Sequence, residues 1–126
     1  MAYNKIMVID DSHFDRLIAR KVIEVSQLAE NIILAASVLE AISYLESVEK
    51  TGFPEIILLD ISMPELDGFD FLQRFDKMPE NNKMGCKIVM LSSSIDPNDI
   101  NRAKKCKYVH GFISKPLTVE KLKCYL

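Results

Sequence analysis

Four short apolar runs in this 126-residue chain end in side chains able to do chemistry. Asp10 and Asp11 follow Lys5-Ile6-Met7-Val8-Ile9, and Asp60 closes Ile56-Ile57-Leu58-Leu59. Ser92, Ser93 and Ser94 follow Lys87-Ile88-Val89-Met90-Leu91, and Lys115-Pro116 comes just after residues 109–113. Three carboxylates gathered in one place repel one another unless something positive sits between them. An all-oxygen ligand set suits a hard cation, and Mg2+ is held by few carboxylates together with waters and a phosphate. A lysine and a hydroxyl close by can hold the remaining oxygens of a phosphoryl group attached to, or arriving at, a carboxylate. Taken singly, Asp10-Asp11 reads as a solvated, helix-start charge and Lys115 as an exposed lysine. Their coincidence on four run ends is what points to phosphoryl chemistry.

The elements that would position these residues are legible in the periodicity. Five apolar runs recur, the second being Ile32-Ile33-Leu34-Ala35-Ala36, and each is followed by helical spacing. Phe14, Ile18, Val22 and Val25 form one stripe after the first run, and Val38, Ala41, Ile42, Leu45 and Val48 another after the second. Phe69, Leu72 and Phe75 follow the third, Ile100 and Ala103 the fourth, and Val119, Leu122 and Leu126 the fifth. Strand and helix alternating five times predict a parallel sheet with helices on both faces, an α/β three-layer sandwich with five strands and five helices. Ser12, Asp96 before Pro97, and Thr118 supply helix-start signals. In such sheets ligands bind outside the carboxyl ends of the strands, where strand order reverses. The last helix is expected to end with the chain, which reads as a single domain over residues 1–126.

Composition narrows the class. Hydrophobic residues make up 48% and charged residues 27%, while Gly and Pro number four and five, so disordered and collagen-like chains are excluded. No apolar run approaches the roughly 20 residues of a membrane helix, so no membrane insertion is expected, nor is a leader segment evident. Three cysteines, Cys86, Cys106 and Cys124, without CxxC spacing argue against a disulfide framework or a zinc site and fit a reducing cytoplasm. Residues 1–96 hold nine Lys/Arg against sixteen Asp/Glu, whereas residues 97–126 hold seven against two. The basic end reads either as a partner surface or as solvated helix faces.

The ordered set Asp10-Asp11, Asp60, Met63-Pro64 with Asp67-Gly68, Leu91-Ser92-Ser93 and Lys115-Pro116 resembles the receiver domain of bacterial two-component response regulators, of the stand-alone, chemotaxis-Y-like kind. The resemblance covers essentially the whole chain. It implies a flavodoxin-like sheet of strand order 2-1-3-4-5 and a phosphorelay role in signal transduction. Asp60 matches the phospho-acceptor, supplied by a sensor histidine kinase or histidine phosphotransfer protein. Asp10 and Asp11, with Asp60 and the backbone carbonyl of Ser62, match the ligands of Mg2+, for which Mn2+ is a substitute. Ser92 and Lys115 match the hydroxyl and ammonium that meet the phosphate, and Phe112 falls at an aromatic switch position where Tyr is common. Pro64, Gly68 and Pro116 are structural at the site, Pro116 commonly following a cis peptide. The face of the fourth helix, fifth strand and fifth helix is the implied effector surface, open also to a homodimer. With no output domain, the chain is expected to be a signalling switch, catalysing only its own phosphotransfer and slow dephosphorylation.

Other readings fare worse. A haloacid-dehalogenase-type phosphatase carries Asp-x-Asp where this chain has Asp60-Ile61-Ser62, and no cap segment is present. A flavin mononucleotide module would be repelled by Asp10-Asp11 at its phosphate loop. A receiver-like docking module lacking phosphate acceptance finds no support, since every acceptor-site residue is present. Direct DNA binding lacks a reading element. His13 reads as exposed in a first helical turn, His110 as structural, and the methionines as core packing.

Overall fold

The computed structural model describes residues 2–94 and 96–126; Met1 and Ile95 lie outside the described residues. Strands β1 (Tyr3–Ile9), β2 (Ala29–Ala35), β3 (Ile56–Asp60), β4 (Lys87–Ser92) and β5 (Val109–Ser114) form one all-parallel sheet of order β2-β1-β3-β4-β5. Between and after them run helices α1 (His13–Ser26), α2 (Val38–Ser47), α3 (Gly68–Asp76), α4 (Glu80–Lys83), α5 (Pro97–Lys104) and α6 (Val119–Lys123). The expected flavodoxin-like architecture and strand order are observed.

Period-two alternation sorts the central strands between two cores. Met7, Ile9, Ile57, Leu59, Ile88 and Met90 face α2, α3 and α5. Ile6, Val8, Ile56, Leu58, Val89 and Leu91 face α1 and α6. With both faces covered, β3 is buried at all five positions, whereas β2 and β5, at the edges, are only partly buried. Each fully buried Leu or Ile contributes on the order of 1.5–3 kcal/mol of transfer free energy, so this double core dominates the stabilisation.

Three local expectations need correction. Six helices are described where five are expected, because α4 is a single turn, Glu-Asn-Asn-Lys, too short and polar to repeat an apolar stripe. In α1 the buried residues are Ala19 and Ile23, while Phe14 and Val25 are 70% and 62% exposed. The stripe Phe14-Ile18-Val22-Val25 therefore straddles the packed face, since small Ala19 permits close approach and hydropathy alone underweights it. Finally, α6 closes at Lys123, and Leu126 packs against the second core from beyond the helix.

Candidate functional site

Parallel register assembles the site at the carboxyl edge of the sheet. Ile9 pairs with Leu59, so Asp10 and Asp60 emerge level with each other. Asp60 pairs with Leu91, and Ser92 with Ser114, which places Ser92 and Lys115 on the next two strand ends. The Lys115 N–H donates to the Ser92 carbonyl at 2.7 Å, tying the last two ends together.

Asp10, Asp11 and Asp60 offer carboxylate oxygens that all lie within 4.8 Å of one another. Asp10 and Asp60 are buried; Asp11 is exposed. Between them reaches Lys115, whose Nζ lies 2.9 Å from Asp10 Oδ2, 3.0 Å from Asp15 Oδ2 and 3.3 Å from Asp60 Oδ1. One cation serves too many carboxylates here. Burial, followed by the charge of Asp10, raises the Asp60 carboxyl from 3.8 to about 6, despite the opposing pull of Lys115. Burial acts to lower the Lys115 ammonium, but hydrogen bonds to Asp10 and Asp15 and the charges of Asp10 and Asp60 hold it above its ordinary value. The site is thus short of positive charge, and its donor set, oxygen only and partly open to solvent at Asp11, fits a divalent hard cation.

Local chemistry fixes each piece. Ser12 caps α1 by accepting from the Asp15 N–H, and its own N–H donates to Asp10 Oδ1 at 2.9 Å. The Arg16 guanidinium donates to the Asp10 carbonyl at 2.8 Å. Beyond β3, the Gly68 N–H donates to the Ile61 carbonyl at 2.8 Å, and Asp67 and Asp70 form a reciprocal capping box that starts α3. Ser62 and Pro64 are exposed on the intervening loop, where Glu65 takes a left-handed φ of 68°. The Ser92 hydroxyl donates to the Ser94 carbonyl and accepts from the Ser94 N–H, closing the loop after β4 on itself. The Lys115-Pro116 peptide is cis. Phe112 is half-buried against the first core, and its carbonyl accepts from the Tyr125 hydroxyl at 3.0 Å.

Asp10, Asp11, Asp60, Ser62, Pro64, Gly68, Ser92, Lys115 and Pro116 stand at or beside this edge, and Phe112 lies within β5. Asp15 and Arg16 were not anticipated. Their spacing of five and six from Asp10 puts them on the first turn of α1 facing the strand ends, but an acidic first turn is too common a helix-start feature to mark a site. Gly111 is a further omission: a Cβ there would run into the Tyr125 ring, so only glycine lets that ring lie across β5.

Comparison with known proteins agrees with this fold. The chain matches the response regulator receiver domain family over residues 6–126. It is 30% identical to the chemotaxis protein CheY of Listeria monocytogenes, covering 94% of this chain and 91% of that protein. It is also 30% identical to the sensor histidine kinase CheAY of Helicobacter pylori over 93% of this chain, but spans only 14% of that protein's length. A protein-glutamate methylesterase/protein-glutamine glutaminase of Burkholderia thailandensis is 27% identical, the chain spanning 29% of it. Among solved structures, a two-component response regulator from Cytophaga hutchinsonii superposes with a TM-score of 0.91 at 28% identity, covering 99% of this chain and 95% of that one. The chain belongs to the response regulator receiver domain family.

Proposed function

We propose that this receiver domain accepts a phosphoryl group on Asp60 from a phosphohistidine of a sensor histidine kinase or histidine phosphotransfer protein, and signals the change to a protein partner. The observation that carries this reading is the ammonium of Lys115, 2.9 Å from Asp10 Oδ2 and 3.3 Å from Asp60 Oδ1, set among the clustered carboxylates of Asp10, Asp11 and Asp60. An Asp60 oxygen forms the bond to phosphorus while the bond to the donor imidazole nitrogen breaks, the imidazole leaving with the electron pair. Lys115 lowers the repulsion between the incoming phosphoryl oxygens and the Asp60 carboxylate and holds one of those oxygens in the product. Asp10, Asp11 and Asp60, with the Ser62 main-chain carbonyl, would hold Mg2+ or Mn2+, which when bound supplies neutralisation of the spread charge on the transferring group.

The acyl phosphate so formed is open to hydrolysis, so the chain acts as a switch whose only chemistry is on itself. The Ser92 hydroxyl exchanges its Ser94 partner for a phosphate oxygen and draws the following loop inward, with Phe112 moving into the vacated space. Lacking a hydroxyl, Phe112 adds packing and no polar anchor. Pro64, Gly68 and Pro116 shape the loops around the acceptor. The readout surface is the basic face of α5, β5 and α6, open to an effector protein or a second copy and not to DNA, in the cytoplasm. No described helix is long and apolar enough to cross a membrane. Acetyl phosphate with Mg2+ should add one phosphoryl group to the protein and none to Asp60→Asn. Label retained by that variant, or no label on the wild type, would overturn the assignment.

A further inference from the structure

Lys115 is held from more directions than an acceptor site requires. Its ammonium has three N–H donors. Two donate to Asp10 Oδ2 and Asp15 Oδ2, at 2.9 Å and 3.0 Å, and Asp60 Oδ1 lies 3.3 Å away. The backbone beneath it cannot shift easily. The Lys121 ammonium bridges the carbonyls on either side, those of Ser114 at 3.0 Å and Pro116 at 3.1 Å, while the Lys115 N–H is bound to Ser92. Only the side chain of Lys115 is left to choose among partners.

Asp15 has an ordinary role as an acidic residue in the first turn of α1, where it meets the positive end of the helix. That role requires no contact with a residue one hundred positions away in the chain, yet the Asp15 carboxylate turns to Lys115. Of the three carboxylates around the ammonium it is the most exposed, its side chain 34% accessible against 2% for Asp10 and 6% for Asp60. A pocket of about 20 Å3 lies among Asp10, Asp15, Lys115, Ala19 and Leu117. Ile18, Leu91 and Pro116 complete its lining, so apart from the charged groups its walls are apolar.

We infer that Asp15 is a positioning residue that competes with the phosphoryl group for Lys115 and so weights the switch toward its unphosphorylated state. This rests on the reading of Asp60 as acceptor. A phosphoryl oxygen arriving at Asp60 is a fourth acceptor for an ammonium whose three donors already face Asp10, Asp15 and Asp60, so it draws Lys115 away from one of them. Asp15 is the partner given up, since its carboxylate is the most exposed of the three and the readiest to be rehydrated. The Asp15–Lys115 ion pair is made before phosphorylation and lost after it, and its free energy opposes the phosphorylated state.

The test is the affinity of the Mg2+-loaded protein for beryllofluoride, a phosphoryl mimic, measured by calorimetry beside the melting temperature of each variant. Asp15→Asn, which keeps the shape and removes the charge, should bind beryllofluoride about two- to fivefold more tightly, the range of a partly exposed ion pair. Asp15→Glu, which keeps the charge, should stay close to wild type, and the acetyl phosphate labelling rate of Asp15→Asn should rise by a similar factor. Loss of the helix-start charge alone would lower the melting temperature and leave the affinity unmoved. Unchanged or weakened affinity in a folded Asp15→Asn, repeated in Asp15→Ser, overturns the inference. Failure of the wild type itself to bind beryllofluoride would instead remove the Asp60 reading, before any variant is compared.

Discussion

Gly68 lies directly against the main chain of Asp60: a Cβ at position 68 would stand 2.7 Å from the Asp60 carbonyl oxygen and 3.0 Å from Ile61 Cα. The first residue of α3 and the last residue of β3 are thus pressed together with no room for a methyl group. Gly68→Ala must push α3 away from the sheet or tilt the strand end that carries Asp60. The expected cost is about 1–3 kcal/mol in denaturant unfolding, as for other overpacked interiors, with slower acetyl phosphate labelling of Asp60. A variant as stable as wild type would mean that α3 is free to slide.

The raised Asp60 carboxyl makes stability depend on pH in a stated direction. With its folded value at about 6 against 3.8 ordinarily, the folded protein keeps a proton there that the unfolded chain has already released. The stability this contributes is complete below about pH 4 and is lost as pH rises through about 4–6, by roughly 2–3 kcal/mol if Asp60 acted alone. Metal-free Asp60→Asn should therefore melt higher than wild type near neutral pH, with the gap closing as the pH falls. Adding Mg2+ should stabilise the wild type and narrow the gap. A gap independent of pH would show that burial of Asp60 is not the cause.

Asp11 is exposed, so removing it disturbs no packing while taking away one oxygen donor and one negative charge. Asp11→Ala should weaken Mg2+ binding by about tenfold or more and leave metal-free stability equal or higher, through relief of repulsion in the carboxylate cluster. Titration of Mg2+ into both proteins, read by calorimetry, is the check. Equal affinities would exclude Asp11 as a ligand.

Coupling from acceptor to output face should run through Ser92, whose hydroxyl is engaged within its own loop. Beryllofluoride should shift amide signals of Ser93, Ser94 and residues 109–113, and Ser92→Ala should remove most of those shifts while Asp60 still takes label. Shifts confined to α1, or unchanged in Ser92→Ala, would place the route elsewhere.

At the opposite end of the sheet, the Lys83 ammonium is buried, donating to the Asp76 carbonyl at 2.7 Å and standing 4.8 Å from the Tyr108 ring centre, with Glu80 3.4 Å away. Its aliphatic stem fills space as much as its charge binds. Lys83→Ala should cost about 2–4 kcal/mol, and Lys83→Met, which keeps the volume, distinctly less. Urea unfolding of the two variants decides, and equal losses would assign the cost to the charge.

Much of this protein is already determined along the chain. Strand and helix periodicity, the apolar runs of β1, β3 and β4, and the acidic, hydroxyl and lysine residues standing one step past them are local patterns. In a parallel sheet all strands end on one edge, so those residues share that edge. What the chain does not contain is distance across the sheet. That Asp15 reaches Lys115 depends on where α1 docks, and that docking turns on small Ala19 being the contact residue while larger Phe14 and Val25 stay outside. Gly111 reads as an ordinary strand residue until Tyr125 folds over it, and Lys83 as a solvated charge until Tyr108 and Phe75 close on it. Such contacts join segments far apart in sequence and are chosen by shape and packing, and a hydropathy pattern, which carries only the order and polarity of residues, holds no record of either.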